Sequence, residues 1–499
     1  MGQSVPTSTV FAMIRPILRQ ARPLAPLAVL FLSACASVPH LADAPTPRAP
    51  ASFAADRSLA ATGDAAWPAQ NWWQGYGDAQ LDALIAEGLA GSPDLAAATA
   101  RIAQAEGYAQ QAGAARLPTL GATGSVGLTK QSYNNGIPAD FVPQGWNDTG
   151  RVQGELGFDL DLWGRNRAAY AAARSDTEAA RLDLAQTQLT LSTNIADAYA
   201  DLARLFAERA VAQAALDVRQ QTAKLTADRV TGGLDTRAEL KQAESAVPAA
   251  RADLAATDEA IALTRNRIAA LLGKGPDRGL AIAPPAATIA ARGLPVGVTT
   301  ELVARRPDIV AARTRVEAEA NRIKVARADF YPSFNLSAVF GLQSLGLSNL
   351  INGGSTAGSV GPAFSLPIFR GGELQGRYRV ARGTFDAAVA DYDRTVTDAY
   401  RAVADVVVSQ RALTTRLTES QQSLADAQAG YDIARQRFEG GLSRFTDVLV
   451  AQDRVLQARR IVADLQSRAF TLDIALVRAL GGGFTAPATA QQNKDVTHG

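Results

Sequence analysis

Cysteine occurs once in the 499 residues, at Cys35, and histidine twice, at His40 and His498. A single thiol forms no intramolecular disulfide, and with so few imidazoles neither a zinc cluster nor a Cys-His catalytic pair can be assembled. Charge of one sign is missing too: 50 basic and 48 acidic residues leave a formal +2, which points to neither nucleic acid nor an acidic surface as partner. Long hydrophobic runs are also absent. Although 47% of residues are hydrophobic, no stretch beyond the amino terminus approaches the roughly eighteen apolar residues of a spanning helix. If the mature chain crosses a membrane, it does so as strands.

Catalytic signatures are equally scarce. Leu272-Gly273-Lys274-Gly275 lacks the spacing of a phosphate loop and reads as a helix cap. Asp159 and Asp161 invite comparison with a glycosidase dyad or a calcium site, but on one face of a strand they more simply line water. No catalytic residue, metal site or cofactor is expected.

At the amino terminus, Arg15, Arg19 and Arg22 precede an apolar run over 24–32, too short to span a bilayer but suited to a signal-peptide core. It ends at Leu32-Ser33-Ala34-Cys35, the pattern of a bacterial lipoprotein box, so residues 1–34 are expected to be a signal peptide and Cys35 the site of covalent lipid attachment. Met13 makes as good a start as Met1. Ala36, where such lipoproteins carry aspartate for inner-membrane retention, favours the outer membrane. Residues 35–66, rich in Pro and Ala up to about Asp56, read as an acylated periplasmic tether, and the folded body starts at about Trp67.

That body is duplicated. Pro93-Asp94 with Arg101-Ile102 returns as Pro307-Asp308 with Arg315-Val316, a shift of 214, and Gly232-Gly233-Leu234 returns as Gly440-Gly441-Leu442, a shift of 208. The repeats are expected over 67–290 and 291–483, followed by a flexible tail over 484–499. Each holds two strand-like stretches. Leu120, Ala122, Val126 and Leu128 alternate with Gly121, Thr123, Ser125 and Gly127; Val152, Leu156, Phe158, Leu160 and Leu162 alternate with Arg151, Gln153, Glu155, Asp159 and Asp161. The second repeat has Phe334, Leu336, Ala338, Phe340 and Leu342 against Asn335, Ser337 and Gln343, then Val360, Phe364, Leu366 and Ile368 against Ser359 and Ser365. Period-two alternation gives each strand one apolar and one wet face. Polar loops join them into hairpins over about 119–162 and 333–369. Alternation alone fits equally a soluble sheet packed on helices and a barrel wall in lipid.

Helical sequence surrounds the strands. Residues 165–229 contain neither proline nor glycine and are rich in good helix formers, which at about 1.5 Å per residue gives a helix of roughly 100 Å. Gly232-Gly233 turns the chain into a partner helix running to about 272, with Pro248 as a potential kink, and the second repeat gives the same hairpin over 373–480. Shorter helices over 93–115 and 307–330 lead into the strands. Because four strands cannot close a barrel, several chains must share one; three would give twelve strands.

In this order, Trp72-Trp73 with Leu81 and Leu84-Ile85, Asp159-Leu160-Asp161-Leu162-Trp163-Gly164, Arg305-Arg306-Pro307-Asp308, Gly361-Pro362 with Leu366-Pro367-Ile368-Phe369, and the Gly-Gly-Leu turns resemble the outer-membrane factors of the TolC and NodT type. The resemblance covers essentially the whole mature chain. It implies a mainly α fold with membrane β: a trimeric 12-stranded β-barrel continuous with a 12-helix periplasmic α-barrel, each chain a tandem repeat. It implies a passive exit duct for small molecules such as drugs, partnered by a periplasmic adaptor protein and an inner-membrane RND-type transporter and embedded in outer-membrane lipid.

Site residues follow from the same resemblance. The turns carrying Arg229, Gly232, Gly233 and Leu234, and Arg437, Gly440, Gly441 and Leu442, match the family's adaptor-docking tips; on glycine content alone they read as helix stops. Asp447 matches an acidic position of the family's aperture gate, Glu239 is its counterpart one repeat earlier, and Arg444 is an alternative partner across the opening. Where some members carry a second acid three residues on, this chain has Val450. Both acids read equally as helix-start carboxylates favoured by the helix dipole. Two other functions fit less well: a duct for type I protein secretion, and a periplasmic coiled-coil scaffold with a soluble sheet.

Overall fold

Both halves of the chain fold into the same series of elements. After α1 (Ala79–Gly91), the first half runs α2 (Pro93–Ala114), β1 (Thr119–Thr129), β2 (Asn147–Asp159), α3 (Arg165–Thr231) and α4 (Arg237–Leu271). Two short helices, α5 (Asp277–Leu280) and α6 (Val298–Arg305), link it to the second, which runs α7 (Pro307–Ala328), β3 (Ser333–Leu345), β4 (Thr356–Ser365), α8 (Glu373–Glu439) and α9 (Phe445–Ala479). The computed structural model describes residues 38–60, 65–286 and 292–486; the expected signal peptide, Cys35 and the last thirteen residues lie outside them. Equivalent helices match residue for residue in length: 22 for α2 and α7, 67 for α3 and α8, 35 for α4 and α9. Pro118 and Pro332 follow the short helices and commit the chain to extended backbone before β1 and β3. Pro248 lies within α4 without ending it.

The strands form one antiparallel sheet in the order β1-β2-β3-β4. Its central pair joins the two halves, with Val152 opposite Leu342 and Leu156 opposite Ala338. This leaves β1 and β4 as edges. No described helix is long and apolar enough to cross a membrane.

The chain divides into two compact units that cut across the repeats rather than between them. One holds the sheet with 104–177 and 315–389; the other holds 47–103, 178–314 and the chain from 390 onward. In the second unit a core of Tyr76, Leu81, Ile85, Ile195, Tyr199, Ile268 and Phe470 is fully buried. Two of its polar groups are tied into hydrogen bonds, while the second oxygen of Asp473 is buried without a partner. Tyr76 donates its hydroxyl to Asp473 at 2.6 Å, and Arg292 donates to the same carboxylate oxygen at 3.0 Å. Burial and the Asp473 charge push the Tyr76 hydroxyl far above the ordinary tyrosine range. Burial pulls Asp78 upward, but hydrogen bonds from Tyr199 and from the backbone N–H groups of Ala286, Leu81 and Gln80 outweigh it and hold this helix-capping carboxyl low.

Both ends of the described body differ from the sequence reading. The segment read as tether is anchored to the folded body at three points between 48 and 59: the Arg48 N–H donates to Asp393 at 3.0 Å, Phe53 lies 5.6 Å from Tyr400, and Leu59 is buried. Two apolar side chains give an otherwise Pro/Ala-rich stretch something to bury. At the other end, Phe484 and Ala486 pack on Leu182, Val310 and Ala311. They are brought there by Gly481, Gly482 and Gly483, all at positive φ, and a Cβ on Gly481 would stand 2.0 Å from the Arg305 carbonyl oxygen. Gly481→Ala is therefore expected to destabilise this unit by about 3 kcal/mol or more, read as a lowered melting temperature by circular dichroism; an unchanged melt would show that the close approach is not needed.

Candidate channel wall and hairpin tips

Residues opposite one another in an antiparallel register share a face, and alternate residues take opposite faces. Applied to the four strands, the register gathers Leu120, Ala122, Val126 and Leu128, then Val152, Leu156 and Phe158, then Phe334, Leu336, Ala338, Phe340 and Leu342, then Val360 and Phe364 on a single side. Thr123, Ser125, Arg151, Gln153, Glu155, Asn335, Ser337, Gln343 and Ser359 occupy the other. Four separately alternating stretches are thus in phase. The apolar side is uncovered: Val126 is 71% exposed and Val360 79%. On it, the Phe340 ring lies over Gly154, whose missing side chain makes the room, and Phe334 meets Phe364 with ring centroids 6.5 Å apart. On the wet side Glu155 accepts from Thr123 at 3.1 Å and from Gln153 at 2.6 Å.

The Asp159-to-Gly164 motif departs from the sequence expectation. Strand β2 ends at Asp159, and Asp161 takes a left-handed φ of 46°. The two carboxylates therefore do not share a strand face. Asp161 instead accepts from the backbone N–H groups of Asn166 and Arg167 at 2.8 and 3.0 Å, satisfying first-turn donors of α3, while Asp159 accepts from the Asn166 side chain at 3.1 Å. Trp163 stacks on Tyr331 at 4.7 Å and donates its N–H to the Pro332 carbonyl at 2.7 Å. The job of this motif is to turn strand into helix, which the alternation through Leu162 conceals.

At the turns between α3 and α4 and between α8 and α9 the backbone makes the same cap twice. Leu234 N–H donates to the Arg229 carbonyl and Leu442 N–H to the Arg437 carbonyl, each at 2.8 Å, with Gly233 at φ 74° and Gly441 at φ 72°. Those two glycines are dictated by the cap. Gly232 and Gly440 are not: neither has positive φ, and an added Cβ would meet nothing closer than 3.4 Å. Leu234 and Leu442 stand 70% and 73% exposed at the ends of the hairpins. Beneath them Phe438, Phe445, Val448 and Ala243 pack together and hold the two tips side by side. Chemically the tips differ. Arg229 binds both oxygens of Asp235, at 2.9 and 3.1 Å, and lies 4.3 Å above the Phe438 ring. Arg437 is exposed, and Ser443 stands where the first tip has Asp235.

The three gate candidates lie just past the tips, each at a helix start. Glu239 forms a full capping box with Thr236, accepting from its N–H at 2.7 Å. Asp447 makes the corresponding half, accepting from the Arg444 N–H at 3.2 Å through one oxygen; the Arg444 side chain has no acceptor to return the bond. Among the described residues no cluster of His, Cys, Asp and Glu is placed to hold a metal ion.

A family model described as outer membrane efflux protein matches residues 84–274 and 298–482. The fusaric acid resistance protein FusA of Burkholderia cepacia is 37% identical over 332 residues, 64% of this chain and 61% of that protein. The multidrug resistance outer membrane protein MdtP of Escherichia coli K12 is 30% identical over 444 residues, 87% of this chain and 90% of its own length. Among solved structures, the outer membrane protein VceC of Vibrio cholerae aligns at a TM-score of 0.80 with 43% identity, over 84% of this chain and 100% of that one.

The cap geometry separates the paired glycines by experiment. Gly233→Ala should loosen the first tip by about 1–2 kcal/mol, the cost of a left-handed non-glycine residue, and Gly232→Ala should leave it unchanged. Hydrogen exchange of the Leu234 amide reads the difference, and equal protection in both variants would contradict it.

Proposed function

The chain belongs to the outer membrane efflux protein family, and from that premise we propose that three copies form the exit duct of a tripartite pump for small molecules. The observation that carries this reading is the in-phase sheet with an uncovered apolar side and two open edges. In lipid each unpaired backbone group costs several kcal/mol, so a sheet exposed to hydrocarbon must close. Three sheets of four strands close into a twelve-stranded wall, apolar toward lipid and wet toward a central lumen. The lipid on Cys35 adds a second hold on the outer membrane.

The duct is passive and not an enzyme; no bond is made or broken in it and no cofactor is needed. Energy comes from an inner-membrane RND-type transporter, joined to the duct through a periplasmic adaptor. Adaptor docking is assigned to the hairpin tips. Support comes from two exposed leucines at positions where a buried contact would normally finish the cap, and from Gly232 and Gly440, which the backbone does not require. The aperture is assigned to the same end, where Asp447, Glu239 and Arg444 supply charge. Relatives named for fusaric acid resistance and multidrug resistance favour drug-like cargo.

Leu234→Asp with Leu442→Asp, made in a strain dependent on this chain for drug resistance, should lower the minimum inhibitory concentration to that of the deletion strain, with heat-modifiable trimers still present in outer-membrane fractions. Full resistance would remove the tips from docking, and recovery of the protein in soluble form without detergent would refute the duct itself. Asp447→Asn keeps an acceptor for the Arg444 N–H and removes the charge; it should raise ion conductance in planar bilayers, and equal conductance would remove Asp447 from the gate.

A further inference from the structure

Four residues of the sheet are charged, Asp148, Arg151, Glu155 and Asp159, and all lie on β2. The three acids have fixed employment. Asp148 accepts from the Leu347 N–H at 2.6 Å, beside the β3–β4 loop. Glu155 holds Thr123 and Gln153, and Asp159 accepts from Asn166 and, at 2.9 Å, from the Asp161 N–H. Arg151 is different. It is exposed, it lies on the wet side of the sheet, and its guanidinium makes no hydrogen bond or ion pair among the described residues.

Its neighbours sharpen the contrast. The register sets Ser125 of β1 and Gln343 of β3 directly beside it, both neutral and both able to donate a hydrogen bond. The nearest acid on the same face of its own strand, Glu155, is four residues along, about 13 Å away. A guanidinium with five donors, flanked by two more donor side chains and no carboxylate, is matched to an anion.

We propose that Arg151, with Ser125 and Gln343, is a specificity-determining site of the duct: a threefold ring of unpaired guanidinium groups in the outer half of the lumen that recognises carboxylate, sulfonate or phosphate groups on passing substrates. The ring rests on the reading of the wet face as the lumen wall. Counted from the helix end of β2 outward, the charges run Asp159, Glu155, Arg151, so the lumen changes sign along its length and a departing anion meets its attractive ring last.

The test is ion selectivity of the purified full-length trimer in planar bilayers under a potassium chloride gradient. At about 0.1 M salt, where charges act over about 10 Å, the chloride-to-potassium permeability ratio should fall roughly threefold in Arg151→Gln, fall further in Arg151→Glu, and return to the wild-type value in Arg151→Lys. At about 1 M salt, where the screening length is about 3 Å, the differences should collapse. Conducting Arg151→Gln channels with an unchanged ratio at low salt would overturn the ring while leaving the duct intact. Trimers that never conduct, with Asp447→Asn as well as without it, would overturn the lumen assignment, and the ring with it.

Discussion

An antiparallel sheet that is apolar on one side and open at both edges cannot stand alone in a bilayer. The rest of this protein is arranged around that constraint. Strands β1 and β4 each present a row of unpaired N–H and C=O groups, and the apolar face offers no helix a place to cover it, being uncovered in the folded chain. Water would reject the face and lipid would reject the edges. Association of several copies around a common lumen removes both conflicts at once, and the wet side chains Thr123, Gln153 and Glu155 already form their own hydrogen-bonded network there.

Gene duplication supplies the geometry cheaply, because two halves with helices of equal length bring two strand hairpins to one sheet and two helical hairpins to one pair of tips. The duplicated backbone then carries unlike chemistry. Both tips close with the same glycine cap, yet Arg229 is locked onto Asp235 and Phe438, whereas Arg437 is exposed and has Ser443 in the position equivalent to Asp235. The sheet shows the same pattern, with every charge on β2 and none on its counterpart β4. Backbone symmetry and side-chain asymmetry are separable, and function is written in the second.

Much of this was legible in the sequence. Period-two alternation gave the strands, and their phase followed from the register; runs rich in helix formers placed the long helices within a residue or two of their observed ends. Glycine pairs marked the tips. What stayed hidden depends on contacts distant in the chain. Nothing local says that Asp161 leaves the strand to cap α3, because alternation continues through Leu162 and outvotes it until the helix start is seen. Three glycines before Phe484 show nothing locally of the close approach of Arg305, Leu189 and Ala69, which leaves no room for a Cβ on any of them. Likewise, the caps made by Glu239 and Asp447 were as readable as gate charges, since both roles call for an acid in the first turn of a helix.

The central claim is that one side of this sheet faces lipid and the other water. Single cysteines placed in turn along 119–129, in trimers held in outer membranes, test it directly through reaction with a membrane-impermeant thiol reagent small enough to enter the lumen. The account predicts labelling at odd positions such as 123 and 125, and protection at even ones such as 120, 126 and 128. Uniform labelling, or labelling of the even positions instead, would contradict it.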